Sequence, residues 1–168
     1  MQIDIRPASA ADAARIAAIY NRYVAQTTIS FEEQPVSEAE MAGRIRDVAD
    51  AGLPWLVALH QGELAGYAYA TKWRARPAYR FSVESTVYLD DSACGRGWGA
   101  LLYRQLIGQL RAGGIRTVIA GIAQPNARSV GLHERLGFRK VAHFSDVGYK
   151  FGGWVDVGYW QLSLAEDA

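Results

Sequence analysis

Residues 83–103, VESTVYLDDSACGRGWGALLY, place a glycine-rich loop between a predicted strand and a predicted helix. The strand is rich in β-branched and aromatic residues, and the loop carries glycines at positions 95, 97 and 99. Each glycine costs backbone entropy when the chain folds, so three at alternate positions need a reason. Either the loop makes a tight turn, or a ligand approaches its backbone closely.

A loop of this kind can bind phosphate, because several backbone N–H groups converge beside the positive end of the helix dipole. Arg96 can add positive charge, whereas an ordinary turn would need only one glycine. The P-loop motif G-x-x-x-x-G-K-[ST] is absent. GRGWGA does fit the dinucleotide pattern G-x-G-x-x-G/A, but the next strand, TVIAGIAQ, lacks the acidic residue that holds a ribose hydroxyl.

The composition limits the remaining classes of protein. The chain has 168 residues, enough for one domain with a full core and short for two. It has no stretch of 18 apolar residues and no signal peptide, so we expect a cytoplasmic protein without a membrane partner. A net charge of +1 argues against a nucleic-acid partner. One cysteine and three scattered histidines predict neither a disulfide nor a metal site.

Hydrophobic periodicity predicts strands and helices along the whole chain. Ser9 with Asp12 and Ser37 with Glu40 are capping-box signals that open two helices. The predicted order is a strand at 2–6, these two helices, strands at 55–60, 64–73 and 81–89, a helix after the glycine loop, a strand at 117–123, a short helix from Asn126 closed by Gly137, and strands at 140–151 and 154–164. This order indicates one α/β domain, residues 1–168, around a mixed sheet.

Several motifs, taken in order, resemble the GNAT superfamily of acetyl-CoA-dependent N-acyltransferases. They are three strands, the loop CGRGWG, which matches [QR]-x-x-G-x-[GA] at all but its first position, an amphipathic helix and PNARSVGLHERLGF. TISFE, VESTVYL and FGGWVDVGYWQL narrow the resemblance to the phosphinothricin and methionine sulfoximine acetyltransferases. The resemblance implies a GNAT-like α/β (α+β) fold with a mixed, mostly antiparallel central sheet flanked by helices. It also implies acetyl-CoA as co-substrate, direct transfer and a homodimer.

The resemblance also assigns residues to the cofactor. The strand before the loop, at Val87, Tyr88 and Leu89, is expected to contact the pantetheine arm, and one of its N–H groups would polarise the thioester carbonyl. The pyrophosphate is expected at Gly95, Arg96, Gly97, Trp98, Gly99 and Ala100. Asn126 is expected to reach the cofactor arm, although it could equally be an ordinary N-cap. The first loop position, usually Gln or Arg, is Cys94, for which direct transfer leaves no covalent role.

Two titratable residues are the candidates for proton transfer. The amine must lose a proton before it attacks, and Glu84 in a half-buried strand is the expected general base. His133 is expected to protonate the CoA thiolate as it leaves, because histidine carries protons near pH 7. The alternatives are a solvent-facing Glu84 and a core histidine bonded to a backbone carbonyl.

The acceptor is expected at KWRARPAYR, residues 72–80. Arg74 or Arg80 would pair with a substrate carboxylate, because the guanidinium fork binds carboxylate in a bidentate manner. Trp73 and Tyr79 offer apolar walls, and Phe31 and Glu32 are expected on the opposite wall. The alternative is a solvated loop.

The predicted reaction is acetyl transfer from acetyl-CoA to the α-amino group of a small amino-acid-like acceptor, of the methionine sulfoximine, methionine sulfone or phosphinothricin type. Three alternatives remain open. They are a GNAT enzyme that acts on another amine, such as a peptide N-terminus or a polyamine, a non-catalytic acyl-CoA-binding module, and a dinucleotide-binding module.

Overall fold

The computed structural model describes residues 2–165, and its elements follow in the predicted order. The strands are β1 Asp4–Pro7, β2 Trp55–His60, β3 Glu63–Lys72, β4 Ser82–Leu89, β5 Thr117–Ala123, β6 Arg139–Lys150 and β7 Gly153–Ser163. The helices are α1 Ala13–Gln26, α2 Glu38–Asp50, α3 Trp98–Ala112 and α4 Ala127–Arg135. Each helix within residues 2–165 is too short or too polar to span a membrane.

The first helix begins differently from the prediction. The Ser9–Asp12 capping box lies at the start of a separate 3-10 turn, Ala10–Asp12, and α1 begins after it at Ala13. Asp12 accepts a hydrogen bond from the Ser9 N–H at 2.8 Å, and it also accepts two from the Arg6 guanidinium, each at 2.8 Å. The Asp12 carboxylate therefore links the 3-10 turn to Arg6 of β1. In this tight turn it can accept hydrogen bonds from both Ser9 and Arg6.

The seven strands hydrogen-bond in the order β1-β2-β3-β4-β5-β7-β6. The β4–β5 ladder is parallel, and the ladders β1–β2, β2–β3, β5–β7 and β6–β7 are antiparallel. Parallel strands need a crossover connection, which the glycine loop and α3 supply. The sheet is therefore mixed and mostly antiparallel, as predicted.

The described residues divide into two compact units. The first contains residues 2–21, 36–71 and 85–114, and the second contains residues 22–35, 72–84 and 115–165. In the first unit, α2 and α3 contact β2. The apolar stripe of α3 is buried at Leu102, Tyr103, Leu106, Ile107 and Leu110. This packing fixes the start of α3, where the glycine loop ends.

In the second unit, β5, β7 and β6 form an antiparallel ladder. The ladder places Tyr159 of β7 opposite Gly121 of β5. β6 and β7 form a hairpin with an irregular register between Phe144 and Gly148. Several of its large apolar side chains are exposed, namely Val141, Phe144, Val147, Tyr149, Phe151 and Trp154.

Candidate active site

The glycine loop, residues 94–99, contains two glycines in the left-handed conformation. Gly95 has φ +77° and Gly97 has φ +79°, values that side chains rarely adopt. A Cβ added at either position would meet no atom within 4 Å. Gly99 instead lies inside α3 and is buried. The turn therefore accounts for Gly95 and Gly97, and the open space beside them fits the approach of a ligand.

Side chains hold the segment before the glycines in place. Asp90 accepts hydrogen bonds from the Ser92 hydroxyl at 2.7 Å and the Ser92 N–H at 3.0 Å, and Arg15 donates to it at 2.8 Å. The hydrogen bonds from Ser92 and, more weakly, Arg15 lower the pKa of Asp90. Arg96 donates from Nε to the Ser92 carbonyl at 2.9 Å, with its guanidinium 5.1 Å from the Trp98 ring centre. The loop is thus ordered by its own contacts.

The start of α3 differs from the starts of α2 and α4. Ser37 caps α2 by accepting from the Glu40 N–H at 3.1 Å, and Asn126 caps α4 by accepting from the Ser129 N–H at 3.2 Å. Gly97, at the N-cap of α3, has no side chain with which to do the same. An anion is a suitable acceptor for such N–H groups. Asn126 fills the N-cap role that was its alternative, and its contact with the cofactor arm remains a prediction.

The predicted pantetheine strand is held closely against β3. The Asp90 N–H, just after β4, donates to the Ala65 carbonyl at 2.8 Å. A Cβ at Gly66 would overlap the Leu89 side chain and lie 2.8 Å from the Tyr88 carbonyl oxygen. Val87, Tyr88 and Leu89 are half-buried. Gly66 thus permits the close strand contact that fixes this backbone.

Glu84 lies in an electrostatic cluster with Arg74 and Tyr159. Its side chain is half-buried, and burial raises its pKa, while the nearby Arg74 guanidinium opposes that rise. Burial, with a smaller contribution from Glu84, also raises the pKa of Tyr159, and Arg74 again opposes. A carboxylate that is partly desolvated and lies beside a cation suits a general base next to an anion-binding group.

Aromatic side chains surround this cluster. The Arg74 guanidinium lies 4.8 Å from the Trp73 ring centre, and Trp73 meets Tyr159 edge-on at 5.9 Å. Phe144 contacts Tyr159 in the same manner at 5.7 Å. The sequence-based prediction missed Phe144 and Tyr159. One available signal was Gly121 inside a buried strand, because a Cβ there would lie 3.1 Å from the Tyr159 ring.

The other members of the predicted acceptor segment make local contacts. Residues Pro77–Tyr79 form a 3-10 turn, and Arg80 donates from Nη1 to the Pro77 carbonyl at 3.1 Å. The Arg80 guanidinium lies 4.5 Å from the Phe81 ring centre, and Tyr79 is exposed. The structure therefore brings Arg74 and Trp73 to Glu84, whereas the contacts described for Arg80 stay within residues 77–81.

Phe31 and Glu32 follow α1, and both interact with the β6–β7 hairpin, Phe31 by direct contact and Glu32 electrostatically. The Phe31 ring lies against Gly148 of β6, and the Glu32 N–H donates to the Ser30 hydroxyl at 3.2 Å. Burial lowers the pKa of Lys150, and Glu33 and Glu32 oppose that shift, so these carboxylates act on the Lys150 ammonium. Gly148 and Lys150 were not among the predicted site residues.

His133 is buried in α4, and its Nδ1 contacts the backbone of the same helix. Nδ1 lies 2.7 Å from the Ser129 carbonyl oxygen, so we assign its proton to Nδ1, which donates that hydrogen bond. In the neutral ring, Nε2 then carries the lone pair. Burial lowers the pKa of His133, while the Ser129 bond opposes that shift. Burial therefore favours the neutral ring, and the contacts match the alternative, a core histidine bonded to a backbone carbonyl. The role of His133 in proton transfer remains a prediction.

The β4–β5 pair is parallel within a mostly antiparallel sheet, and it is joined through α3 and a loop that contains two left-handed glycines. This is the arrangement that the resemblance to the acyl-CoA-dependent acyltransferases implies. The family profile described as "Acetyltransferase (GNAT) domain" matches residues 5–158. The chain therefore belongs to the GNAT acetyltransferase family.

Curated relatives and solved structures agree with this assignment. The chain is 43% identical over 159 residues to phosphinothricin N-acetyltransferase of Streptomyces viridochromogenes, covering 95% of this chain and 86% of the relative. It is 41% identical to the L-methionine sulfoximine/L-methionine sulfone acetyltransferase of Pseudomonas aeruginosa, covering 98% and 96%. A Sinorhizobium meliloti phosphinothricin acetyltransferase structure, solved in complex with AcCoA, is similar with a TM-score of 0.94 and 40% identity, covering 97% and 89%.

These findings confirm the predicted fold class, the family resemblance and the enzyme class, an acetyl-CoA-dependent N-acetyltransferase. They also support acetyl-CoA as the co-substrate. Within residues 2–165, no group of three His, Cys, Asp or Glu side chains could hold a metal ion. The roles predicted for individual residues remain predictions.

Proposed function

We propose that residues 1–168 act as a single N-acetyltransferase domain that transfers acetyl from acetyl-CoA to the α-amino group of a small amino-acid-like acceptor. The acceptor is of the methionine sulfoximine, methionine sulfone or phosphinothricin type, as the names of the relatives suggest. The observation that carries this proposal is the electrostatic interaction of Arg74 with the half-buried Glu84, in a cluster that also holds Trp73 and Tyr159, because it combines a base for the amine with a cation for the carboxylate.

Acetyl-CoA supplies an acetyl thioester, and its pyrophosphate is assigned to the glycine loop. The open space at Gly95 and Gly97 and the start of α3 without a side-chain cap support this assignment. The backbone of Val87–Leu89 is assigned to the pantetheine arm, and an N–H of this strand is assigned to the thioester oxygen, which gains negative charge during transfer.

We assign the acceptor to a cluster of side chains in the second unit, called here the acceptor cluster, which consists of Phe31, Glu32, Trp73, Arg74, Glu84, Phe144 and Tyr159. An α-amino acid carries its carboxylate about two bonds from the nucleophilic nitrogen, so a guanidinium that holds the carboxylate also aims the amine. Arg74 is favoured over Arg80 because it acts electrostatically on Glu84. Trp73, Phe144 and Tyr159 can contact the apolar part of the acceptor side chain.

Glu84 takes the proton that the acceptor ammonium must lose, either directly or through water. The C–N bond then forms as the C–S bond breaks. The attacking nitrogen must lose a second proton to become an amide nitrogen, and the CoA sulfur must gain one. We assign that delivery to His133, which takes up a proton at Nε2 before it can give one, because its neutral ring carries its proton on Nδ1. Of the two protons that the nitrogen loses, one is delivered to the CoA sulfur and the other passes from Glu84 to solvent, so the enzyme itself returns to its starting protonation state.

A thiol-release assay with acetyl-CoA tests the proposal across a panel of α-amino acids and their sulfone, sulfoximine and phosphinate analogues. We expect turnover with the free acids and a large loss with the matching carboxamides, because an amide removes the charge that Arg74 binds. Equal turnover of acid and amide would instead indicate a peptide or a simple amine as acceptor. Binding of CoA without turnover of any amine would indicate a non-catalytic module.

We further propose a cytoplasmic homodimer. The exposed apolar side chains of the β6–β7 hairpin support a protein partner there, since large exposed apolar patches commonly mark interaction surfaces. Tyr149 and Trp154, with ring centres 4.8 Å apart, are suitable for such an interface. Sedimentation of Trp154→Arg should show monomers where the parent chain shows dimers, and a monomeric parent chain would contradict the proposal.

A further inference from the structure

Lys150, the last residue of β6, is 3% exposed although it carries a charge. Its Nζ donates to the main-chain carbonyl oxygens of Val24 at 2.7 Å, Thr27 at 2.8 Å and Ser30 at 2.7 Å. It also lies 5.0 Å from the centre of the Phe151 ring. An ammonium has three N–H donors, so these three carbonyls use all of them. All three donors of the buried ammonium are therefore hydrogen-bonded to the backbone of residues 24–30.

The three carbonyls belong to the end of α1 and to the segment that follows it. α1 ends at Gln26, so the Val24 carbonyl lies in the last turn, where helix carbonyls have no intrahelical partner. A cation at this end also interacts favourably with the helix dipole. Thr27 and Ser30 lie in the loop that leads directly to Phe31 and Glu32. Lys150 thus fixes both the end of α1 and the loop that precedes Phe31.

Gly148, two residues before Lys150 on β6, provides the surface on which the Phe31 ring lies. A Cβ at Gly148 would be 2.5 Å from Cε2 and 3.1 Å from Cε1 of Phe31, so a larger residue would displace the ring. Gly148 is not among the glycines with positive φ, so space rather than backbone conformation requires glycine here. One end of the hairpin therefore holds both the backbone and the ring of this loop.

We propose that Lys150 and Gly148 are positioning residues for acceptor binding. Lys150 fixes the backbone of residues 27–30, and Gly148 leaves room for the Phe31 ring, so that Phe31 and Glu32 are presented to the acceptor in one arrangement. This inference rests on the proposed function, because it takes Phe31 and Glu32 as part of the acceptor cluster.

Lys150→Met tests the first half, because methionine keeps an unbranched side chain and removes the three donors. We expect the acceptor KM to rise about 10-fold or more, with the acetyl-CoA KM within about twofold of the parent value. Backbone amides of residues 27–32 should also exchange faster with deuterium, a measurement that needs no acceptor. Lys140→Met is the matched control, because Lys140 is an exposed residue on the same strand, and it should change none of these values.

Gly148→Ala and Phe31→Ala form a double-mutant cycle that tests the second half. Each single variant should raise the acceptor KM by about 5-fold or more while sparing the acetyl-CoA KM. In the Phe31→Ala background, Gly148→Ala should have no further effect, because the ring that its Cβ would displace is gone. A methyl group that merely destabilised β6 would act equally in both backgrounds.

The outcomes separate this inference from the proposed function. If the acceptor panel shows turnover but Phe31→Ala leaves the acceptor KM unchanged, the acetyltransferase proposal stands and the positioning role is overturned. Additive effects of Gly148→Ala and Phe31→Ala, or equal increases in both KM values, would also overturn it. If Lys150→Met does not fold, the double-mutant cycle decides alone.

Discussion

The glycine loop takes its form from consecutive backbone conformations, whereas the acceptor cluster is assembled from side chains on five separate segments. Within the loop, Gly95 and Gly97 determine the geometry, and the nearby polar side chains mainly hold the backbone in place. In the acceptor cluster, Glu84, Arg74 and Tyr159 act on one another although they lie on β4, before β4 and on β7. A short motif can therefore reveal the first region, but only the fold assembles the second.

The largest expected effect of a substitution lies in the acceptor cluster. Glu84→Gln keeps the size of the side chain but cannot take a proton, so kcat should fall about 100-fold or more. The acetyl-CoA KM should stay near the parent value. Steady-state kinetics with both substrates varied measures this, with Glu63→Gln, an exposed residue of β3, as control. A kcat within about threefold of the parent value would remove Glu84 from catalysis.

A substitution in the glycine loop should weaken the binding of acetyl-CoA and not that of the acceptor. Gly97→Val places a β-branched residue at φ +79° and fills the open space beside it, so the acetyl-CoA KM should rise about 10-fold or more. Gly108→Val is the matched control, because Gly108 lies inside α3 with open space and no positive φ. If Gly97→Val lowers only the melting temperature, the loop is a turn and not a phosphate site.

Substitutions of Arg74 and Arg80 should show which arginine binds the acceptor carboxylate. The acceptor KM should rise about 10-fold in Arg74→Gln and change little in Arg80→Gln, whose contacts are local. Arg74 lowers the pKa of Glu84, so removing it raises that pKa. Because the base must be ionised, the rise of kcat/KM with pH should move to higher pH. An unshifted profile with an unchanged acceptor KM would exclude Arg74 from the site.

The smallest effect is expected at Cys94, where the loop departs from the usual Gln or Arg. The thiol donates to the Asp90 carbonyl at 3.5 Å, and serine can keep that hydrogen bond. Cys94→Ser should therefore leave kcat within about threefold, because direct transfer needs no thiol. A well-folded but inactive Cys94→Ser protein would point to an acetyl-cysteine intermediate, which mass spectrometry of the parent chain could detect.

The same contrast explains which features the sequence could predict. The strand, the glycine loop and α3 follow one another along the chain, so local patterns located them within one or two residues. Glu84 and Arg74 were found because they belong to motifs. The sequence alone did not distinguish Arg74 from Arg80. The distinction depends on the 3-10 turn at Pro77–Tyr79, after which Arg80 hydrogen-bonds to the Pro77 carbonyl of its own segment.

Tyr159 and Lys150 could not be found in this way, because they meet their partners only through strand pairing and long-range packing. Lys150, for example, is bonded to residues that precede it by 120 to 126 positions. The sequence carried only indirect signals of these contacts. They are glycines at 121 and 148, each of which accommodates an aromatic ring from another segment.

The three hydrogen bonds of Lys150 have a practical consequence for engineering acceptor choice. A design that exchanges residues 27–35 between relatives would place two of the three carbonyls that Lys150 binds, at positions 27 and 30, in a different loop, and it would also exchange the ring that must fit on Gly148. The transplanted segment would then need the matching end of the hairpin, residues 148–151, to be carried with it. Chimeras built from both pieces should keep their acceptor preference, whereas chimeras built from the loop alone should lose it.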